Sequence, residues 1–305
     1  MAQNPTFSNQ VQLLVNVLPS VATQPCFALK GGTALNLFVR DLPRLSVDID
    51  LAYLPIADRE SSLVGIDKAL ENITSEIMRT IPSVKVSASL VHGIDKRIKL
   101  LVSLNGITVK VEVTPVLRGS VYESELRETS PRVQAEFGYA QMQLLSFEDL
   151  YAGKLCAALD RQHPRDLYDV KFLLENEGIS EKLKDAFMVY LLGHPRPMSE
   201  VIKPRLKDIE AIYHSEFKGM TIDEVSLESL LETRNEMIAK LHEALTDKDK
   251  QFLLEVKRGD ADWSSFILPE VQHLPAIQWK LHNLAQMQAD KRKKSLEALR
   301  VALYG

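Results

Sequence analysis

The sequence predicts an α/β (α+β) core with a mixed sheet, followed by an all-helical C-terminal domain. Three observations carry this. Val47, Ile49 and Leu51 alternate with Ser46, Asp48 and Asp50, and Val109, Val111 and Val113 alternate with Lys110 and Glu112, which is the period-two pattern of half-buried strands. Asn105-Gly106 lies between two such runs, and both residues tolerate the positive φ of a type I′ hairpin turn. Beyond Ser180 only amphipathic helical periodicity is found. With 305 residues, 45% of them apolar, the chain can fill two cores. The predicted domains are residues 1–143 and 144–305.

In chain order, 11–18 reads as a short helix. Residues 27–29 form a short apolar strand ending at Lys30-Gly31-Gly32-Thr33, and a helix follows over 34–40. A strand is expected over 45–51 and an amphipathic helix over 62–80, closed by Pro82. Further strands are expected over 84–91, 98–104 and 107–113. Residues 146–161 read as a helix with Ser146 and Asp149 spaced as a capping box. Pro164 suits the first turn of another helix over 165–175, stopped by Gly178.

Composition excludes several classes. Thirty-seven basic against 41 acidic residues leave a net charge of −4, which argues against coating nucleic acid through bulk charge. The two cysteines, Cys26 and Cys156, sit in apolar stretches, so a disulfide framework is not expected and a reducing cytosol fits. No run approaches the ~18 apolar residues of a membrane span. No secretory leader is recognisable, so a cytoplasmic protein is expected.

Chemistry concentrates in a few residues. Period two places Asp48 and Asp50 on one strand face, roughly 6–7 Å apart. Like charges held so close repel unless a cation lies between them, and oxygen-only donors on a stiff strand suit Mg²⁺. Two solvated acids on an exposed face give the same pattern. Gly31-Gly32-Thr33 at a strand-to-helix turn lets a phosphate approach bare backbone beside free N–H groups; an ordinary tight turn with a threonine cap reads identically. Glu112 shares the polar face of its strand and completes a three-carboxylate set if the strands are neighbours. Its alternative is a salt bridge to Lys110.

A GG-Ser/Thr turn, an Asp-x-Asp strand and a later acidic strand in a hairpin together resemble the polymerase-beta type of nucleotidyltransferase fold. The runs 27–36 (FALKGGTALN) and 44–51 (RLSVDIDL) are similar to the first signature of the AbiEii/AbiGii-type toxins of type IV toxin–antitoxin, abortive-infection systems. The runs 146–160 (SFEDLYAGKLCAALD), 163–169 (HPRDLYD) and 274–281 (LPAIQWKL) are similar to later parts of that family. The resemblance implies an Mg²⁺-dependent transfer of NMP from a nucleoside triphosphate, with two Mg²⁺ held by Asp48, Asp50 and Glu112. It implies a triphosphate held by Gly31, Gly32, Thr33 and Lys154, and catalytic roles for Asp48, Asp50, Lys154 and Asp166. Asp166 is expected to take a proton or position the incoming hydroxyl. Arg165 and Asp169, four apart on a helix, read as a supporting pair.

The implied acceptor is RNA, above all the tRNA 3′ end, whose modification blocks translation. The implied partner is a cognate antitoxin, a winged-helix transcriptional regulator. A protein or small-molecule acceptor, or a non-catalytic nucleotide-binding module, would share these motifs. Basic residues that suit RNA phosphates are Lys96, Arg97, Lys99, Lys110, Arg118, Arg127, Arg132 and the run Lys291-Arg292-Lys293-Lys294, the last also readable as a solvated helix face. Cys156 reads as core, His163 as a loop histidine, and Trp263 and Trp279 as packing residues.

Overall fold

A computed structural model describes residues 5–91 and 94–305. The chain divides into two compact units. One comprises the residues up to Leu150 together with Gly219–Glu224, and the other Tyr151–Lys218 and Val225–Gly305.

The first unit is built on a seven-stranded mixed sheet. Its strands are β1 (Phe27–Lys30), β2 (Asp48–Tyr53), β3 (Lys85–Val91), β4 (Ile94–Leu104), β5 (Ile107–Arg118), β6 (Glu125–Glu128) and β7 (Gln141–Leu144), in the order β3-β4-β5-β2-β1-β7-β6. The hairpin β4–β5 turns at Asn105 (φ 50°) and Gly106 (φ 80°), as the Asn-Gly pair predicts. β2 runs antiparallel to β1 and parallel to β5. Ile49, Leu51, Val109, Val111 and Val113 are fully buried, and the core is completed by α1 (Pro5–Ala22) and α3 (Arg59–Thr80), whose Leu14, Leu18, Ile66, Leu70 and Ile73 are equally buried. Asp58 caps α3, accepting from Ser61 N at 2.9 Å.

Several elements differ from their expected extents. α1 is longer than 11–18 because Pro19 is accommodated within it. The glycine turn is itself the first turn of a helix, α2 (Gly31–Ala34), which continues as a π-helical turn over Leu35–Val39. β2 starts three residues later than the alternation suggests, since Arg44 to Val47 lie outside the strand. A short helix α4 (Pro131–Phe137), the edge strand β6 and the strand β7 that lies between β6 and β1 were not expected.

The second unit is helical. It begins within α5 (Phe147–Asp160) and continues through α6 (Pro164–Asn176), α7 (Glu181–Leu192), α8 (Met198–Ile202), α9 (Glu210–Glu216), α10 (Leu227–Ala244), α11 (Asp247–Arg258), α12 (Pro275–Ala285) and α13 (Ala289–Tyr304). Tyr168, Phe187, Phe217 and Leu241 are among its buried residues, and Tyr168 and Phe217 approach to 5.6 Å between ring centroids. Half of the capping box expected at the start of α5 forms. Asp149 N donates to Ser146 Oγ at 3.0 Å, while the Asp149 carboxylate accepts from Val121 N and Tyr122 N at 2.9 and 3.0 Å. No helix among the described residues is long and apolar enough to cross a membrane.

Candidate active site

Strand register assembles the first cluster. Asp48 pairs with Lys110 and Asp50 with Glu112 across the parallel β2–β5 ladder. With the intervening Ile49 and Val111 buried, these four side chains share the half-exposed face. Asp50 and Glu112 are therefore direct neighbours, as expected if the two strands adjoin.

Lys110 is also central to this face. Its Nζ lies 2.9 Å from Glu112 Oε2 and 3.8 Å from Asp48 Oδ1, and Lys99 Nζ lies 3.7 Å from Glu112 Oε1. Partial burial alone would raise the Glu112 pKa, but the two lysines outweigh it and hold it below the usual range. Burial would lower Lys110, and the surrounding carboxylates instead raise it. Among the described residues, no three His, Cys, Asp or Glu side chains converge on a point where a metal would be held. Lys110 supplies the positive charge that this face requires.

The glycines earn their places by close approach. Gly31 has φ +75°, and a Cβ there would lie 2.9 Å from Asp50 Oδ2. A Cβ on Gly32 would lie 2.8 Å from an Arg44 guanidinium nitrogen and 3.0 Å from Ser46 Oγ. Thr33 is buried, its hydroxyl donating to the Asp48 carbonyl and lying 2.9 Å from Ser46 Oγ. The hydroxyl thus ties α2 to the start of β2 and fixes where Asp48 leaves the backbone.

The second cluster belongs to the helical unit. Lys154 on α5 is buried, with Nζ 2.9 Å from Asp166 Oδ1 and 2.8 Å from Asp169 Oδ2, both on α6. Asp166 is only 1% exposed and also accepts from Arg161, whose side chain is largely solvated. Burial would raise the Asp166 pKa, yet Lys154 and Arg161 hold it far below the ordinary carboxylate range. Such a carboxylate is a poor proton acceptor at neutral pH. Asp169 closes onto Lys154, while Arg165 reaches Glu216 at 3.9 Å. Arg161 is a member of this cluster that sequence reasoning missed. Its signal was its place five residues before Asp166, at the junction of two helices.

His163 is indeed a junction residue. Its Nδ1 accepts from Arg165 N at 3.1 Å, capping α6, and its Nε2 lies 3.2 Å from Glu216. Cys156 is buried and its thiol pKa is pushed up by desolvation, so it is no nucleophile. Cys26 and Cys156 are both free thiols. Trp263 packs on Phe252 at 5.3 Å, as expected, whereas Trp279 departs from expectation and is 60% exposed.

A mixed sheet with paired carboxylates against a glycine-started helix, followed by a helical unit, defines the nucleotidyltransferase class. The structure of MenT4, a nucleotidyltransferase toxin from Mycobacterium tuberculosis H37Rv, is similar in fold. Its TM-score is 0.58 at 16% identity, over 97% of this chain and 93% of that one. No curated protein sequence matches significantly. The profile described as nucleotidyl transferase AbiEii toxin, type IV TA system, matches residues 12–283, so the chain belongs to that family. It is therefore a nucleotidyltransferase and the toxin of a type IV toxin–antitoxin system, with a nucleoside triphosphate as substrate and an antitoxin as partner.

Proposed function

We propose that this toxin transfers NMP to an RNA acceptor, the tRNA 3′ end, and that Asp48, Asp50 and Glu112 hold Mg²⁺. The observation that carries this reading is the β2–β5 register, which sets Asp50 beside Glu112 with Gly31 against the Asp50 carboxylate. By their chemistry the donors suit a hard divalent cation, being carboxylates alone; as placed here the three do not converge, so holding Mg²⁺ requires Asp48, Asp50 and Glu112 to turn toward one another and Lys110 to move aside. The face already draws in a cation, the Lys110 ammonium, which stands where positive charge is needed. When bound, Mg²⁺ would neutralise charge on the reacting phosphate and its leaving group.

The chain's own residues do the positioning. Gly31 and Gly32 present bare backbone to the triphosphate. Thr33 acts indirectly, by fixing Asp48. Asp166 and Asp169 act as counterions that orient Lys154, which in turn offers a point charge to the triphosphate. This assigns Asp166 to positioning rather than to proton transfer. The antitoxin is a winged-helix regulator in this reading, following the family resemblance.

The test incubates the full-length protein with each labelled triphosphate and total tRNA, with and without Mg²⁺. Metal-dependent label at the tRNA 3′ end is expected. Label on protein or a small molecule alone, or no labelled RNA with any of the four nucleotides, overturns the reading.

A further inference from the structure

Three residues, Arg161-Gln162-His163, join α5 to α6 and so set how the two helices cross. Gln162 has φ +54°, in the left-handed region. A helix that ends in that conformation ordinarily places glycine there. This chain does so after α6 with Gly178 (φ 69°) and after α11 with Gly259 (φ 90°). At the end of α5 it keeps a glutamine instead, 1% exposed, whose side chain makes three hydrogen bonds. Its Nε2 donates to the Arg205 carbonyl at 2.9 Å. Its Oε1 accepts from Lys207 N at 3.0 Å and from Arg234 Nη1, on α10, at 3.1 Å.

These partners are tied in turn. Arg234 is buried and also donates to the Lys207 carbonyl at 2.7 Å, while Lys207 Nζ donates to the Asp160 carbonyl at 2.9 Å. Desolvating a guanidinium is costly, so Gln162 Oε1, one of the two carbonyl oxygens that meet it, is not given up cheaply. The corner is thereby clamped by residues 43 to 72 positions away in sequence. On either side of it lie the groups it must align. Arg161 donates to the Asp166 carboxylate, and His163 Nδ1 caps α6 by accepting from Arg165 N at 3.1 Å. Lys154 reaches from α5 to Asp166 and Asp169 on α6 at 2.9 and 2.8 Å. Another backbone conformation at 162 would swing α6 relative to α5, and these contacts do not survive a shift of about 1 Å.

We propose that Gln162 is a positioning residue for the triphosphate. Its side chain outweighs the strain of the left-handed backbone and locks the α5–α6 corner. The locked corner fixes Arg161 and Asp166, and through them the Lys154 ammonium. Glycine at this position would permit the corner without fixing it. The inference rests on the reading above in which Lys154 meets the triphosphate; the corner geometry does not.

The experiment is calorimetry on the full-length protein with Mg²⁺ and the tightest-binding of the four nucleoside triphosphates. It compares the wild type, Gln162→Gly, Gln162→Asn, Lys154→Met and the double variant of Gln162→Asn with Lys154→Met, each below the onset of its melting. Glycine and asparagine both accept a left-handed φ, so these variants remove the side-chain contacts without adding backbone strain. Each Gln162 variant is expected to bind about five- to tenfold more weakly, and Lys154→Met about tenfold or more. The double variant should lie within about twofold of Lys154→Met, because Gln162 acts only through Lys154. A merely structural Gln162 would lower the melting temperature and leave the affinity unchanged. Both Gln162 variants within about twofold of the wild type, or losses that multiply in the double variant, overturn the inference alone. An unchanged affinity in Lys154→Met overturns the reading beneath it and the inference with it, so the two failures are told apart. Where Lys154→Met does not fold, Arg161→Gln, at a side chain 63% exposed, replaces it in the cycle with the same non-additivity expected.

Discussion

The sheet and the helical unit each hold a cluster of carboxylates and lysines, in opposite settings. On the sheet face formed by β2, β5 and β4, Asp48, Glu112, Lys99 and Lys110 keep between 30% and 42% of their side chains exposed. In the helical unit, Lys154, Asp166 and Asp169 keep at most 5%. Exposed pairs rearrange cheaply, because water screens them and re-solvates either partner. Buried pairs do not, because removing one partner strands the other in a low-dielectric interior. The sheet cluster can therefore exchange Lys110 for another cation, while the helical cluster holds Lys154 at one fixed point.

This contrast yields a graded set of expectations. Lys154→Ala leaves Asp166 and Asp169 buried, with Arg161 the remaining cation on Asp166, and should cost about 3–5 kcal/mol in urea denaturation. A cost under about 1 kcal/mol would show that the helical cluster is as plastic as the exposed one. Gly31→Ala forces a side chain to φ +75° and against Asp50, and should cost about 1–3 kcal/mol, with loss of nucleotide transfer.

Acid should act through Asp166. Its folded-state pKa is depressed, so its contribution is complete above the ordinary carboxylate value and is lost as pH falls below it. Stability measured from about pH 5 down to pH 2 should fall steeply in the wild type and less steeply in Asp166→Asn. The smallest effect is expected at the exposed cluster, where Asp48→Ala should change stability by no more than about 0.5 kcal/mol.

Much of this was legible in the sequence, for a physical reason. Period-two alternation placed Asp48, Asp50 and Glu112 on polar faces, and Asn105-Gly106 fixed the hairpin that brings Glu112 into register. Strands β6 and β7 were not legible. β6 is four residues with three charges, and β7 is only Gln141–Leu144, too short for periodicity to stand out. The Lys110 contact to Asp48 depends on β2 and β5 being parallel neighbours, which local pattern does not specify. The Lys154–Asp166–Asp169–Arg161 cluster depends on how α5 and α6 cross, so the sequence marked Lys154 and Asp166 but not their mutual burial.

The central claim is that the exposed carboxylate face performs the transfer while contributing little to the fold. The measurement that tests it most directly is the initial rate of labelled nucleotide incorporation by Asp48→Ala, at a temperature where its melting curve overlays the wild type. The account predicts a loss on the order of 10³-fold or more with the melting curve unchanged. A rate within about tenfold of the wild type would contradict it.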